Sequence, residues 1–308
     1  MTERIAKNKI QLKGGIMKMR ITVDVFSGRP NPVLYLEGRE AEEVAARLQP
    51  ERTLKRHEAK LPNVPTLGYR GLAVDFIEGK HKKLPKSFRV ANGDLFGSGL
   101  SHRAADSYFE DFVCGSTGLI RRLPVGEKFS DFLLKEIERF KKTRLKFPPR
   151  HVKWPHRHTC RCAPLYEPDW WNDGGQKQFN NNCYNYGTNY RSDTFAQPGQ
   201  AAGAMYSSLT CASVRPAAEA DCLINSPWAN NKCPKEGHLV ALVIAPGWDF
   251  HWYRKGRNGR WTHKPGGTPV TNVDNSGHII NDPRNADRGP YTDFCTFMIV
   301  MHGHIKIS

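Results

Sequence analysis

The stretch "GHLVALVIAPGWDFHWYRKGRNGRWTHKPG", residues 237 to 266, narrows what this chain can fold into more than any other feature. "GHLVALVIA" reads as a strand and "PGWD" turns the chain. "FHWYRK" returns it, "GRNG" turns it again, and "RWTHKPG" returns once more. Strands joined by such short turns form an antiparallel meander. "YTDFCTFMIVMHGHIKI" near the end adds one or two strands, with "FCTFMIVM" having the length of a buried one. The chain holds 21 prolines and 27 glycines, many of them in turn-like settings, which favours strands and loops over long helices.

The first half reads as a mixed helix and strand domain over residues 18 to 148, after a flexible terminus at 1 to 17. "KMRITVDVF" alternates like a strand, "SGRPNP" is a turn and "VLYLE" a second strand. "GREAEEVAARLQP" follows as a helix with Val44, Ala45 and Leu48 on one face and Pro50 at its end. "GYRGLAVDFI" is another strand, and "SFRVANGDLFG" a hairpin around Asn92 and Gly93. "KFSDFLLKEIERFKK" is the strongest helical pattern, with Ser130 placed to cap it and Phe132, Leu133, Ile137 and Phe140 on one stripe. These residues read as core packing, and no catalytic cluster is visible among them. The Pro-rich, basic passage "TRLKFPPRHVKWPHRH" marks the expected boundary, which leaves residues 149 to 308 as the second domain.

A net charge of +16 draws polyanions, whether nucleic acid, acidic headgroups or an anionic wall polymer. The basic residues are scattered, and no zinc-finger, helix-turn-helix or basic-zipper pattern appears, so specific nucleic-acid reading is not expected. No run approaches a membrane span. The first fifteen residues are polar, with no signal-peptide pattern. Seven of the eight cysteines lie after residue 150. With Cys183 set aside, six remain in that half and allow up to three disulfides. Disulfides need an oxidising compartment, so an extracytoplasmic or delivered protein is expected.

Cys183, in "FNNNCYNYGTNY", stands where a short helix can begin, with asparagines before it to cap or turn the chain. A helix start lowers a thiol pKa and suits a nucleophile. The competing reading is one more disulfide or buried thiol. His251 and His263 lie on consecutive strands across the Asn-Gly turn and can approach on one face of the sheet. One imidazole can serve as base while the second fixes its tautomer. Asn272 or Asp274, in "TNVDNSG", is the alternative third member, with loop capping as its simpler role. Tyr184, Tyr186, Trp252 and Trp261 are candidates for a substrate groove.

The order of these pieces resembles the NlpC-type cell-wall peptidases and is similar to the related CHAP amidases. It comprises Cys183, "GHLV" at 237 to 240, His251, "NGRW" at 258 to 261 and His263. The likeness covers roughly residues 165 to 300. It departs from the family pattern at the cysteine, where Asn182 precedes and Tyr184 follows in place of Asp and Ser-Gly. The resemblance implies an α+β chain whose C-terminal papain-like domain packs a Cys183 helix on an antiparallel sheet. It implies that Cys183 attacks an amide carbonyl through a thioester intermediate, with His251 as general base and acid and His263 orienting it. Peptidoglycan-like peptide would be the substrate and no cofactor would be needed. The N-terminal domain would target or regulate. The expectation from another class is a disulfide-stapled binding or matrix protein of this fold without activity.

"HRHTCRC" places His156, His158, Cys160 and Cys162 at alternate positions. They are zinc-ligand types, but an extended strand holds them about 7 Å apart, so a disulfide role ranks above a metal. Cys211, Cys222 and Cys233 recur every eleven residues in a loop-rich stretch and look like staples.

Overall fold

The computed structural model describes residues 16–48, 65–81, 84–97, 100–103, 108–124, 127–142 and 159–308. The expectations for residues 1 to 15 and for Pro50, His156 and His158 fall outside them. The chain is α+β, with two antiparallel-rich sheets and short helices. It divides into two compact units, one comprising Met1–Thr22, Val33–Leu61 and Leu72–Pro124, the other Val23–Pro32, Pro62–Gly71 and Val125–Ser308. The division differs from a cut at residue 148. Two short N-terminal segments and the strongest predicted helix belong with the C-terminal sheet.

The first sheet has six strands in the order β2-β1-β3-β4-β5-β6. These are β1 Lys18–Asp24, β2 Val33–Glu37, β3 Gly71–Glu78, β4 Ser87–Ala91, β5 Asp94–Gly97 and β6 Leu100–Arg103. Asn92 and Gly93 turn β4 into β5 with φ of 52° and 75°, as a two-residue hairpin requires. Helix α1, Gly38–Arg47, buries Ala41, Val44 and Ala45, and α2 spans Phe109–Cys114.

In the second unit, α3 runs over Glu127–Lys142. It starts a turn earlier than the sequence suggests. Ser130 therefore lies inside the helix, and its buried hydroxyl has no hydrogen-bond partner. Its ring Phe132 stacks on Trp248 at 4.9 Å.

The second sheet has the order β10-β9-β8-β11-β7. Its strands are β7 Ile224–Asn225, β8 His238–Ala245, β9 Asp249–Lys255, β10 Trp261–His263 and β11 Asp293–Val300. The pairings are antiparallel throughout. Strand β8 is buried along its whole length because both faces are covered. Alternation sends Phe250 and Trp252 to one face, where they meet Cys183, Tyr184, Val214 and Ala218. Leu239, Ala241, Tyr253 and Trp261 pack on the other. Each large apolar side chain buried this way contributes about 1.5–3 kcal/mol.

The short helices α4 Pro168–Trp171, α5 Gln176–Asn180 and α6 Cys183–Thr188 precede α7, Cys211–Ala220. Two disulfides form, Cys160–Cys233 and Cys211–Cys295, the second tying α7 to β11. Cys114, Cys162, Cys183 and Cys222 are free. Cys160 is thus unavailable to a metal, and no metal-holding group of three or more His, Cys, Asp or Glu occurs among the described residues. No helix among them is long and apolar enough to cross a membrane.

Candidate functional site

Cys183 is the first residue of α6, as its asparagine-rich approach suggests. Asn182 caps the helix. Its side-chain oxygen accepts from the N–H of Tyr184 at 2.9 Å and of Asn185 at 3.1 Å, and Asn185 returns the contact to the Asn182 N–H. Asn189, at φ 56°, ends the turn. The thiol that this places in the core is fully buried. Burial first, and then the Asp249 carboxylate, push its pKa upward, the reverse of what a helix start alone would do. Cys183 Sγ faces the Phe250 carbonyl at 3.9 Å. It makes no hydrogen bond to His251, and Ser27 is its side-chain neighbour.

The two histidines do meet. β9 and β10 pair so that His263 lies opposite Tyr253, and His251 Nε2 stands 2.9 Å from His263 Nδ1. The hydrogen bonds around them fix every tautomer. The Val273 carbonyl can only accept, so His263 Nε2 donates to it at 2.9 Å. His263 Nδ1 is then an acceptor, and His251 Nε2 must donate to it. His251 Nδ1 is left as an acceptor, and the Ser27 hydroxyl donates to it at 2.6 Å. Ser27 Oγ in turn accepts from the Gly266 N–H at 3.2 Å. Burial holds both imidazoles neutral, His251 well below its ordinary pKa and His263 down at about 4.

Ser27 belongs to the "FSGRPNP" tip, which the sequence shows only as a turn. The tip is seated on Asp249. Its carboxylate accepts from the backbone N–H of Ser27 at 2.5 Å, of Gly28 at 3.2 Å and of Arg29 at 3.1 Å, and from the Tyr291 hydroxyl at 2.5 Å. The Gly28 carbonyl accepts from Asn182 Nδ2 at 2.8 Å and Gln197 Nε2 at 2.7 Å. Arg70, itself buried, donates to Asp24 and, through Nη2 at 2.6 Å, to the Phe26 carbonyl. Nearby, Lys264 Nζ donates to three carbonyls, those of Gln178, Asn181 and Gly266 at 2.5, 2.6 and 2.7 Å. Burial pulls its pKa down to about 7.

The other expected site residues lie elsewhere. Asp274 organises its own loop, accepting from the N–H of Ser276, His278 and Asp287. Asn272 is buried with its Nδ2 unpartnered. Tyr184, Tyr186, Trp252 and Trp261 do not line a groove, because all four are fully buried. The Tyr184 hydroxyl bonds Asp221, that of Tyr186 pairs with Thr262, and Trp261 donates to Asn231. Sequence reasoning missed Ser27, Arg70 and Asp249. The one local hint was Asp249 itself, the single carboxylate of the strand "DFHWYRK".

These features define an α+β protein with a closed, neutral Ser–His–His chain beside a buried thiol. The insoluble matrix shell protein 1 of Ruditapes philippinarum is 46% identical to this chain over 136 residues, which is 43% of this chain and 87% of that protein. The chain belongs to the family of that shell protein. No family model matches the chain, and no solved structure matches it.

Proposed function

We propose that the chain is a basic, disulfide-stapled binding protein of an extracellular matrix that does not hydrolyse other molecules in its folded state. The observation that carries this reading is the closure of the cluster. A thiol catalyst needs an accessible sulfur that shares a proton with an imidazole, whereas Cys183 is fully buried and His251 Nδ1 is taken by Ser27. The two disulfides suit an oxidising exterior. The charge of +16 suits acidic matrix polymers as partners, and the shell-matrix relative points the same way. Retention on an immobilised anionic polysaccharide, falling steeply as salt rises, tests the reading; passage without retention at low salt refutes it.

A second reading is a papain-like amidase of the NlpC or CHAP kind. It is supported by the cysteine opening a helix and by the 2.9 Å contact between His251 and His263. It requires the Ser27 tip to leave its seat. Turnover of peptidoglycan and of peptide amides by the native chain, lost in Cys183→Ala, supports it; equal rates for the two proteins remove it.

A further inference from the structure

The proton chain that ends on His251 Nδ1 starts at a hydroxyl, not at the thiol, and that hydroxyl is sealed from any outside substrate. Ser27 is wholly buried. The acyl group that precedes it in the chain is the carbonyl carbon of Phe26, with which Oγ can close a five-membered ring. That carbonyl is not an ordinary one. Its oxygen receives the Arg70 guanidinium at 2.6 Å, and the nitrogen of the same peptide bond is held by the Asp249 carboxylate at 2.5 Å. The bond therefore has a hydroxyl held by a base on one side and a cation on its oxygen, which are the parts an acyl transfer uses, and a carboxylate at its nitrogen that can pair with the amine once the bond is broken.

We propose that the chain cleaves itself between Phe26 and Ser27 through an N-to-O acyl shift, an activity beyond the matrix reading and independent of it. His251 Nδ1 takes the Ser27 Oγ proton as Oγ bonds to the Phe26 carbonyl carbon. The oxyanion of the cyclic intermediate is stabilised by Arg70. The C–N bond then breaks, and the proton held on His251 passes to the departing nitrogen. Phe26 is left as an ester on Ser27 Oγ. Water hydrolyses that ester, giving a Phe26 carboxylate and restoring the serine hydroxyl. The new α-amino group of Ser27 takes up a proton from solvent and lies against Asp249, which supplies its counter-charge. His263 positions His251 by holding its Nε2 hydrogen.

The structure also explains why Ser27, rather than Cys183, performs this step. The hydroxyl donates to the base, while the thiol faces a carbonyl oxygen and makes no bond to either ring.

The experiment follows the full-length chain by intact-mass spectrometry during incubation in neutral buffer, with samples unfolded rapidly in denaturant containing hydroxylamine. A brief hydroxylamine quench traps an ester as a hydroxamate; peptide bonds resist it except at Asn-Gly, here Asn92-Gly93 and Asn258-Gly259, whose fragments are told apart by mass. The expected result is two species, residues 1–26 ending in a Phe26 hydroxamate or carboxylate, and residues 27–308 beginning at Ser27. Ser27→Ala should abolish both, and Ser27→Thr, which keeps the hydroxyl, should retain them. Circular dichroism confirms that each variant is folded. A native chain that stays whole through incubation and the hydroxylamine quench overturns the proposal. So does equal cleavage in Ser27→Ala.

Discussion

Adding one methyl group at Gly28 tests how firmly the Ser27 tip is held. A Cβ built there falls 2.4 to 2.6 Å from three carbons of the Phe250 ring. The ring is itself fully buried, and Tyr206 packs edge-on against it at 5.6 Å. Something must move, and two outcomes compete. Forcing a methyl group into a filled core costs about 1–3 kcal/mol. Lifting the tip instead breaks three N–H contacts to the Asp249 carboxylate, and hydrogen bonds to a charged group are worth about 1.5–3 kcal/mol each. The second cost exceeds the first, so in Gly28→Ala the ring should shift while the tip stays seated. The expected result is a fall in Tm of roughly 2–12 °C for a unit of this size. Cys183 should remain as slow to alkylate as in the native chain. Thermal melts and iodoacetamide labelling read the two quantities separately. An unchanged Tm would refute the close approach of tip and ring. Labelling of Cys183 as fast as an exposed thiol would refute the ranking of the two costs.

In native buffer iodoacetamide should modify Cys162 and Cys222, which are exposed, and spare Cys183 and Cys114 until the chain unfolds; peptide mapping of the labelled sites decides this. Asp249→Ala removes the acceptor of three backbone N–H groups and should destabilise by at least about 3 kcal/mol while opening Cys183 to alkylation, both measurable in denaturant titrations with labelling. Cys160→Ser with Cys233→Ser frees a loop of 73 residues and should cost up to about 4.4 kcal/mol by the loop-entropy relation, read by non-reducing denaturant melts. Stability should also fall with acid. Folded His263 and His238 have pKa values lowered to about 4 and about 3, below the unfolded value near 6.5. The unfolded chain therefore takes up protons first as pH drops. The loss begins near pH 6.5, grows by roughly 1.4 kcal/mol per pH unit for each histidine, and stops for each below its folded pKa. A stability flat between pH 7 and 5 would contradict the burial of these rings.

Local pattern carried the meander well, because the features that define it are local. Period-two alternation, the Asn258-Gly259 turn and the apolar run at 294 to 301 each register within a few residues. The pairing of His251 with His263 was legible for the same reason, since twelve residues and one turn separate them. The helix start at Cys183 was legible through its cap. The seat of the Ser27 tip was not, because its partner Asp249 lies 222 residues away and a turn motif carries no record of what it docks against. Burial misled in the same way. Tyr184, Tyr186, Trp252 and Trp261 are amphipathic enough to suit a groove, yet the face that α6 and α7 cover takes Tyr184 and Trp252 into a core. Ser130 misread a helix start because Glu127 already begins the turn.

The distance in sequence between Ser27 and Asp249 also sets a schedule. A ribosome adding roughly 5–20 residues per second takes about 11–44 s to make the acceptor after the donor has emerged. Through that interval the "FSGRPNP" segment has nothing to bind, and His251 does not yet exist. Closure of the cluster is accordingly among the last events in the birth of the molecule, and any chaperone or protease that meets the nascent chain meets it open.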